Sequence, residues 1–297
     1  MSESDFEFAC PRCSIALSDH LRCTNCGTVF EISEGIHRFL LPERCSEIIP
    51  FLKQYRLVRQ QEGYRSYTAD VYRKLPYIGV NDSQANVWGV RRKSYDRLLS
   101  LLKSSPLSVL DLGAGSGWLS HRLTTLGYHL VAVDWMDDKS DGLGVYRHYP
   151  VEYTCVPADF DALPFMPHQF DVVIFNASLH YAYDIGATLD KVIKTIKSNG
   201  QIFVMDSPTF YSEESGQIMV RDHADHLIKN YGLHEIIQPG AGYITRNEMT
   251  ALGKTLGIAF RFYRSHGGPL WAMKRWWAGV KSKREYAAFG VWVGTLL

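Results

Sequence analysis

The chain predicts an α/β fold, a Rossmann-like sheet of seven strands with helices on both faces, and three observations predict it. Residues 109–117 read Val-Leu-Asp-Leu-Gly-Ala-Gly-Ser-Gly, and Asp134 closes a second apolar run, Leu130-Val-Ala-Val-Asp134. That pairing describes a strand, a glycine turn, a helix and a second strand tipped by a carboxylate. Beyond Ser105-Pro106, short apolar runs alternate with amphipathic stretches, as a doubly wound sheet requires. The 297 residues, 46% hydrophobic and 21% charged, exclude a mainly disordered chain and suffice for one large core plus a smaller appendage.

The division expected is a small zinc ribbon over 1–42, a helical linker or lid over 43–105 and the sheet domain over 106–297. The first part opens with two Cys-x-x-Cys turns, Cys10-Pro-Arg-Cys13 and Cys23-Thr-Asn-Cys26. Each presents two thiolates, and together they complete a tetrahedral four-sulfur site for a structural zinc ion. Gly27 lets the backbone curl around the metal. Disulfides are the competing reading, but the acidic start Met-Ser-Glu-Ser-Asp-Phe-Glu-Phe does not read as a secretory signal. Residues 27–41 then alternate like a hairpin about a Glu34-Gly35 turn. Cys45 and Cys155 have no nearby partner in sequence and read as small apolar residues.

Residues 43–105 read as helical, broken at Leu75-Pro76-Tyr77-Ile78-Gly79. Val90, Tyr95, Leu98, Leu99 and Leu102 fall near helical spacing and should pack on the sheet. Strands are then expected at 108–112, 129–134, 152–156, 170–176, 200–206, 258–264 and 288–294. Helices are expected near 117–126, 138–147, 186–197 and 245–256. Two insertions exceed this plan, Ser207 to Gly242 and Ser265 to Glu285, the second rich in Trp, Lys and Arg. It reads best as an amphipathic helix, with contact to a membrane surface or single-stranded nucleic acid as the alternative.

The glycine spacing separates cofactors. A nicotinamide fingerprint would need glycine at 118, which is Trp118, whereas here the glycines alternate through Gly113, Gly115 and Gly117. This pattern resembles the first motif of class I S-adenosylmethionine-dependent methyltransferases. The resemblance continues through Ala158-Asp159-Phe160, through Phe170 to Asn176, and through the turn-like Ile196-Lys-Ser-Asn-Gly200, where Ser198-Asn199-Gly200 replaces the family's Pro-Gly-Gly. It implies S-adenosylmethionine as cofactor, held by Asp111, Gly113, Ala114, Gly115, Gly117, Asp134, Trp135, Asp159, Phe160 and Asn176. Asp134 would accept from the ribose hydroxyls and Asp159 from the adenine amine. It also implies preceding helices serving as a lid, with Tyr64, Tyr67 and Tyr72 as candidates; ordinary packing is the simpler account of those rings. The cysteine segment resembles zinc-ribbon modules fused to, or partnered with, methyltransferases, with Ser33-Glu34-Gly35-Ile36-His37 replacing their acidic-Gly-Ile-Pro form.

Methyl transfer asks the protein to align a nucleophile and, for a protic acceptor, to remove its proton. His180 is the candidate base, with Tyr181 or Asp184 to orient it; a structural histidine is the competing reading. Asp222, His223, Asp225 and His226 have helical metal-site spacing but equally suit a solvated face. The function expected is methylation of a small organic acceptor. An RNA base is the alternative, disfavoured by a net charge of +1 and by the absence of a Cys-x-x-x-His ribbon end. A non-catalytic cofactor-binding or partner-activating protein, docking through its ribbon, is a third reading. The longest apolar stretch, Ala287 to Leu297, is too short to span a bilayer, and a cytoplasmic location is expected.

Overall fold

Apolar runs rich in Val, Ile, Leu and Phe form the centre of a nine-stranded sheet in the computed structural model, which describes residues 6–79, 81–265 and 284–297. The strands are β1 (Glu31–Ser33), β2 (Ile36–Arg38), β3 (Ser108–Leu112), β4 (His129–Asp134), β5 (Thr154–Pro157), β6 (Phe170–Asn176), β7 (Ile196–Met205), β8 (Thr209–Phe210), β9 (Ile244–Thr245), β10 (Ile258–Arg264) and β11 (Gly290–Leu296). The helices are α1 (Pro42–Gln61), α2 (Ala69–Lys74), α3 (Ala85–Leu101), α4 (Trp118–Thr125), α5 (Ile185–Thr195), α6 (Glu213–Tyr231) and α7 (Arg246–Leu256). Sheet order is β1-β2-β5-β4-β3-β6-β7-β11-β10, and β8 and β9 form a separate pair. From β2 to β7 neighbours run parallel, while β11 and β10 return antiparallel.

Alternate side chains of the parallel strands enter two cores, as the two-residue period demands. Leu110, Val131 and Val173 join Leu189 and Val192 of α5 and Met249 of α7. Val109, Leu130 and Val172 join Trp88, Tyr95 and Leu98 of α3 and Trp118, Leu119 and Leu123 of α4. Local signals fix the helix starts: Asp184 caps α5 by accepting from the Ala187 N–H, and Thr245 and Glu248 form a reciprocal capping box on α7.

The seven expected strands are all present, and the sheet gains two more from the N-terminal segment. The Glu34-Gly35 turn has positive φ at both residues, the conformation that closes a two-residue hairpin, and it joins β1 to β2. Strand β2 then pairs parallel with β5 at Ile36 and Cys155, and the Phe39 N–H donates to the Pro157 carbonyl. Phe6, Cys10, Cys23, Phe30 and Phe39 belong to the same core as Leu110 and Val131. The hairpin of the expected ribbon is therefore also an extension of the sheet.

Two expectations are corrected in detail. The turn read at 196–200 is strand, because β7 starts at Ile196 and absorbs the irregularity as a register shift opposite Phe170 and Val172. The helix read near 138–147 is a tight loop followed by a 3-10 turn at Leu143–His148. Glycine permits that compaction, since a Cβ on Gly142 or Gly144 would lie 2.7 Å from the main chain of Met136 to Asp138. Tyr64 and Tyr72 are buried in the α3–α4 core, with Tyr67 packed against it, as the simpler account of these rings has it. The helix expected within Ser265 to Glu285 falls mainly on 266–283, outside the described residues. Among the described residues no helix is long and apolar enough to cross a membrane.

Candidate active site

The glycine turn follows β3, and its three glycines all lie at positive φ, 75°, 54° and 69° for Gly113, Gly115 and Gly117. A side chain at Gly113 would collide with Ser178 and one at Gly117 with Tyr153, whereas Gly115 has nothing within 4 Å of its Cβ direction. The first and third glycines let the turn pack closely, and the middle one leaves room for a ligand. Asp134, at the tip of β4, accepts from the Gly115 N–H and the Met136 N–H, each at 2.8 Å. Its burial raises its pKa to about 6 against those two donors. Asp111 lies behind the turn: its Oδ2 accepts from Ser120 Oγ at 2.7 Å and its Oδ1 has no partner. Burial pushes it up to about 7.

The glycine turn and Asp134 bound a cleft at the carboxyl ends of β3, β4 and β6, where the strand order reverses. Gly113, Ala114, Gly115, Asp134, Trp135, Phe160 and Asn176 line it together with Tyr181, Ser178 and Met136. Trp135 and Phe160 lie stacked, centroids 6.0 Å apart at 25°. Three residues that the resemblance implies for the cofactor, Asp111, Gly117 and Asp159, are not in this lining. The Asp159 carboxylate faces Arg44 of α1 at 2.5 Å, so its acceptor is already engaged by the protein. The cover is α1, through Phe51, Leu52, Tyr55 and Arg59. Arg59 is held by a bidentate pair to Asp141, at 2.6 and 2.8 Å, and lies over the Tyr64 ring.

A second chamber adjoins the first and shares Phe51, Tyr55, Arg59, Arg91, Ala177 and Tyr181 with it. Its far side is made by His180, by Asp206 and Pro208 after β7, and by His223 and Leu227 of α6. His180 is therefore in the chamber, but its orientation differs from expectation. Its Nδ1 is 3.1 Å from Ser207 Oγ, while Asp184 caps α5 and Tyr181 packs ring against ring at 4.3 Å. Burial lowers the His180 pKa to about 4, so it is neutral at physiological pH and only weakly basic. Ser207, Asp206, Arg59 and Arg91 escape a motif-based reading. Only Asp206 carries a sequence signal, an acidic residue ending an apolar run as Asp134 does.

The four cysteine sulfurs of Cys10, Cys13, Cys23 and Cys26 all lie within 4.8 Å of one another, and Cys10 Sγ is 3.7 Å from Cys26 Sγ. Tetrahedral Zn–S bonds near 2.3 Å place sulfurs about 3.8 Å apart, so the donor set fits a four-thiolate ion. The knuckles are built alike, with Ser14 N–H on the Cys10 carbonyl at 2.8 Å and Gly27 N–H on the Cys23 carbonyl at 3.0 Å. Among the described residues no other group of three or more such ligands converges. Asp222 instead faces Arg284, and His226 faces Asn230.

Residues 110–204 match a family model described as a methyltransferase domain. The malonyl-[acyl-carrier protein] O-methyltransferase of Erwinia pyrifoliae is 25% identical over 172 residues, 58% of this chain and 63% of that protein. The ubiquinone biosynthesis O-methyltransferase of Aeromonas salmonicida is 26% identical over 161 residues, 52% of this chain and 63% of that protein. The chain thus spans less than two thirds of the length of these relatives. Among solved structures, a chain from the Haloferax volcanii complex between the Trm112 methyltransferase activator and a candidate methyltransferase superposes with a TM-score of 0.51 at 17% identity. The match covers 79% of this chain and 97% of that one. The resemblance to class I S-adenosylmethionine-dependent methyltransferases holds in motif, domain and fold.

Proposed function

We propose that the chain is an S-adenosylmethionine-dependent methyltransferase acting on a small organic acceptor. The observation that carries this reading is the pair of joined chambers. One is formed by the open glycine turn and Asp134, the other is lined by α1, α6 and the exits of β6 and β7. When bound, the cofactor supplies an electrophilic methyl on a sulfonium. The chain's own groups fit it: the Gly113 to Ser116 main chain beside the amino-acid part, Asp134 toward the ribose, and Trp135 and Phe160 as an apolar slot for the base. Tyr55 and Tyr181 line both chambers, so acceptor and methyl would meet beside them. Neutral His180 serves as a hydrogen-bonding group on the acceptor side.

Cys10, Cys13, Cys23 and Cys26 would hold one structural zinc ion. The ribbon hairpin is already seated on β5, which favours a role within this chain over docking a separate protein. A net charge of +1 favours a small molecule over RNA. The test is calorimetry with S-adenosylhomocysteine and NAD, followed by transfer of label from tritiated S-adenosylmethionine into the RNA, protein, lipid and small-molecule fractions of a cell extract. Binding of NAD alone overturns the reading, and label entering RNA replaces the acceptor class.

A further inference from the structure

The exit of β7 places in the second chamber a carboxylate that the fold satisfies only by half. Asp206 is 6% exposed and has φ 55°, a conformation a non-glycine residue keeps only where its surroundings impose it. Its N–H donates to the Gly290 carbonyl at 3.2 Å, which ties the turn to β11. Its Oδ1 accepts from Ser94 Oγ of α3 at 2.5 Å, and Ser94 is itself fully buried. Its Oδ2 is buried with no hydrogen-bond partner. A buried carboxylate oxygen lacking a donor is costly, and this residue lines the second chamber and not the first. Oδ2 has no surface open to the chamber as it stands, so an occupant that supplies the missing donor must draw the carboxylate toward it.

We propose that Asp206 is the catalytic base, taking the proton of a hydroxyl-bearing acceptor, and that Ser94 is its positioning residue. This rests on the methyltransferase reading above and deepens it. The acceptor hydroxyl donates to Oδ2 on binding. As its oxygen lone pair bonds to the methyl carbon, the sulfur–carbon bond breaks, its electron pair returns to sulfur, and the hydroxyl proton passes to Asp206. A carboxylate and a sulfonium are thereby replaced by a carboxylic acid and a neutral thioether. An acceptor presenting an ionised carboxylate has no proton to yield and would meet like charge at Asp206, so a carboxylate acceptor is excluded and a hydroxyl fits.

The other charged or titratable groups facing the chamber are Arg59, Arg91, Glu62, His180, His223 and the phenols of Tyr55 and Tyr181. Arg59 is committed to Asp141, His180 is neutral and held by Ser207, and Glu62 and His223 line its α1 and α6 sides. Arg91, one turn before Ser94 on α3, supplies the nearby positive charge. Burial holds Asp206 at about 6, basic for a carboxylate and still ionised at neutral pH.

The experiment follows label from tritiated S-adenosylmethionine into the small-molecule fraction of a cell extract, beside calorimetry with S-adenosylhomocysteine. Asp206→Asn should lower transfer by about 100-fold or more while leaving S-adenosylhomocysteine affinity within about twofold. Ser94→Ala, which removes a donor from the carboxylate, should move the acidic limb of the rate–pH profile upward. Near-wild-type transfer by Asp206→Asn overturns the proposal, as does a labelled product that is a carboxylic ester. If Asp206→Asn loses cofactor affinity and so its fold, the Ser94→Ala profile decides, and an unshifted limb overturns the proposal. A wild-type chain that does not bind S-adenosylhomocysteine strikes instead at the methyltransferase reading itself.

Discussion

Both carboxylate oxygens of Asp134 accept from main-chain N–H groups, so this residue shapes the glycine turn and presents its remaining lone pairs to the cavity. Asp134→Ala should weaken S-adenosylhomocysteine binding by about 1–3 kcal/mol in calorimetry. Because burial raises its pKa to about 6, affinity should also fall as the solution is acidified through that value. Asp111 gives a stability prediction of defined sign. Its folded pKa, about 7, lies above the unfolded carboxylate value, so its contribution is fully present below the unfolded value and is lost as pH rises through 7. Asp111→Asn should therefore gain stability relative to the wild type as pH rises from 5 to 8, read by urea denaturation; a pH-independent difference would refute the assignment. The sequence marks Asp134 because a glycine turn stands beside it. Asp206 has the same strand-end placement without that turn, and the Arg59–Asp141 pair joins residues 82 apart with no local signal at either end.

At the scale of elements, strands and capped helices were legible because period and punctuation agree, as in β3, β4, β6, β10, α5 and α7. The loop from Asp138 to Gly142 was not, because its helix-like composition is overruled by tertiary pairs. Asp138 Oδ1 accepts from the Ser140 and Asp141 N–H groups, and its carboxylate also meets Arg56 and Arg65. Helix α1 links the two functional regions. It starts at Pro42 just beyond β2, carries the Arg44–Asp159 pair in its first turn, and covers both chambers with Phe51, Tyr55 and Arg59. Loss of metal should therefore reach the cofactor. Replacing Cys23 and Cys26 together by serine should remove one zinc per chain, read by elemental analysis, and weaken S-adenosylhomocysteine roughly tenfold. Zinc-free wild-type protein of full affinity would count against this linkage.

Across the whole molecule, the N-terminal segment and the sheet domain share one sheet and one core. The main chain of Glu7 and Ala9 exchanges hydrogen bonds with Met166 and Pro164, β2 covers the edge of β5, and Phe8 and Phe39 pack in one aromatic group with Phe165. Hydrophobic alternation in 27–41 shows that a hairpin forms, but nothing local in it says which edge the hairpin will take, since parallel pairing with β5 is decided by residues more than a hundred positions away. Deleting residues 1–41 should consequently do more than remove a metal site. It uncovers the backbone groups of β5 and the rings of Phe165 and Phe170, which Phe6 and Phe8 now cover, leaving an unpaired apolar edge of the kind that templates association. The truncated chain should aggregate or migrate as oligomers in size-exclusion chromatography, and its soluble fraction should bind S-adenosylhomocysteine poorly because α1 loses its anchor. A monomeric truncated chain of wild-type affinity would show instead that the ribbon is an independent module and that the continuity of the core has no energetic weight.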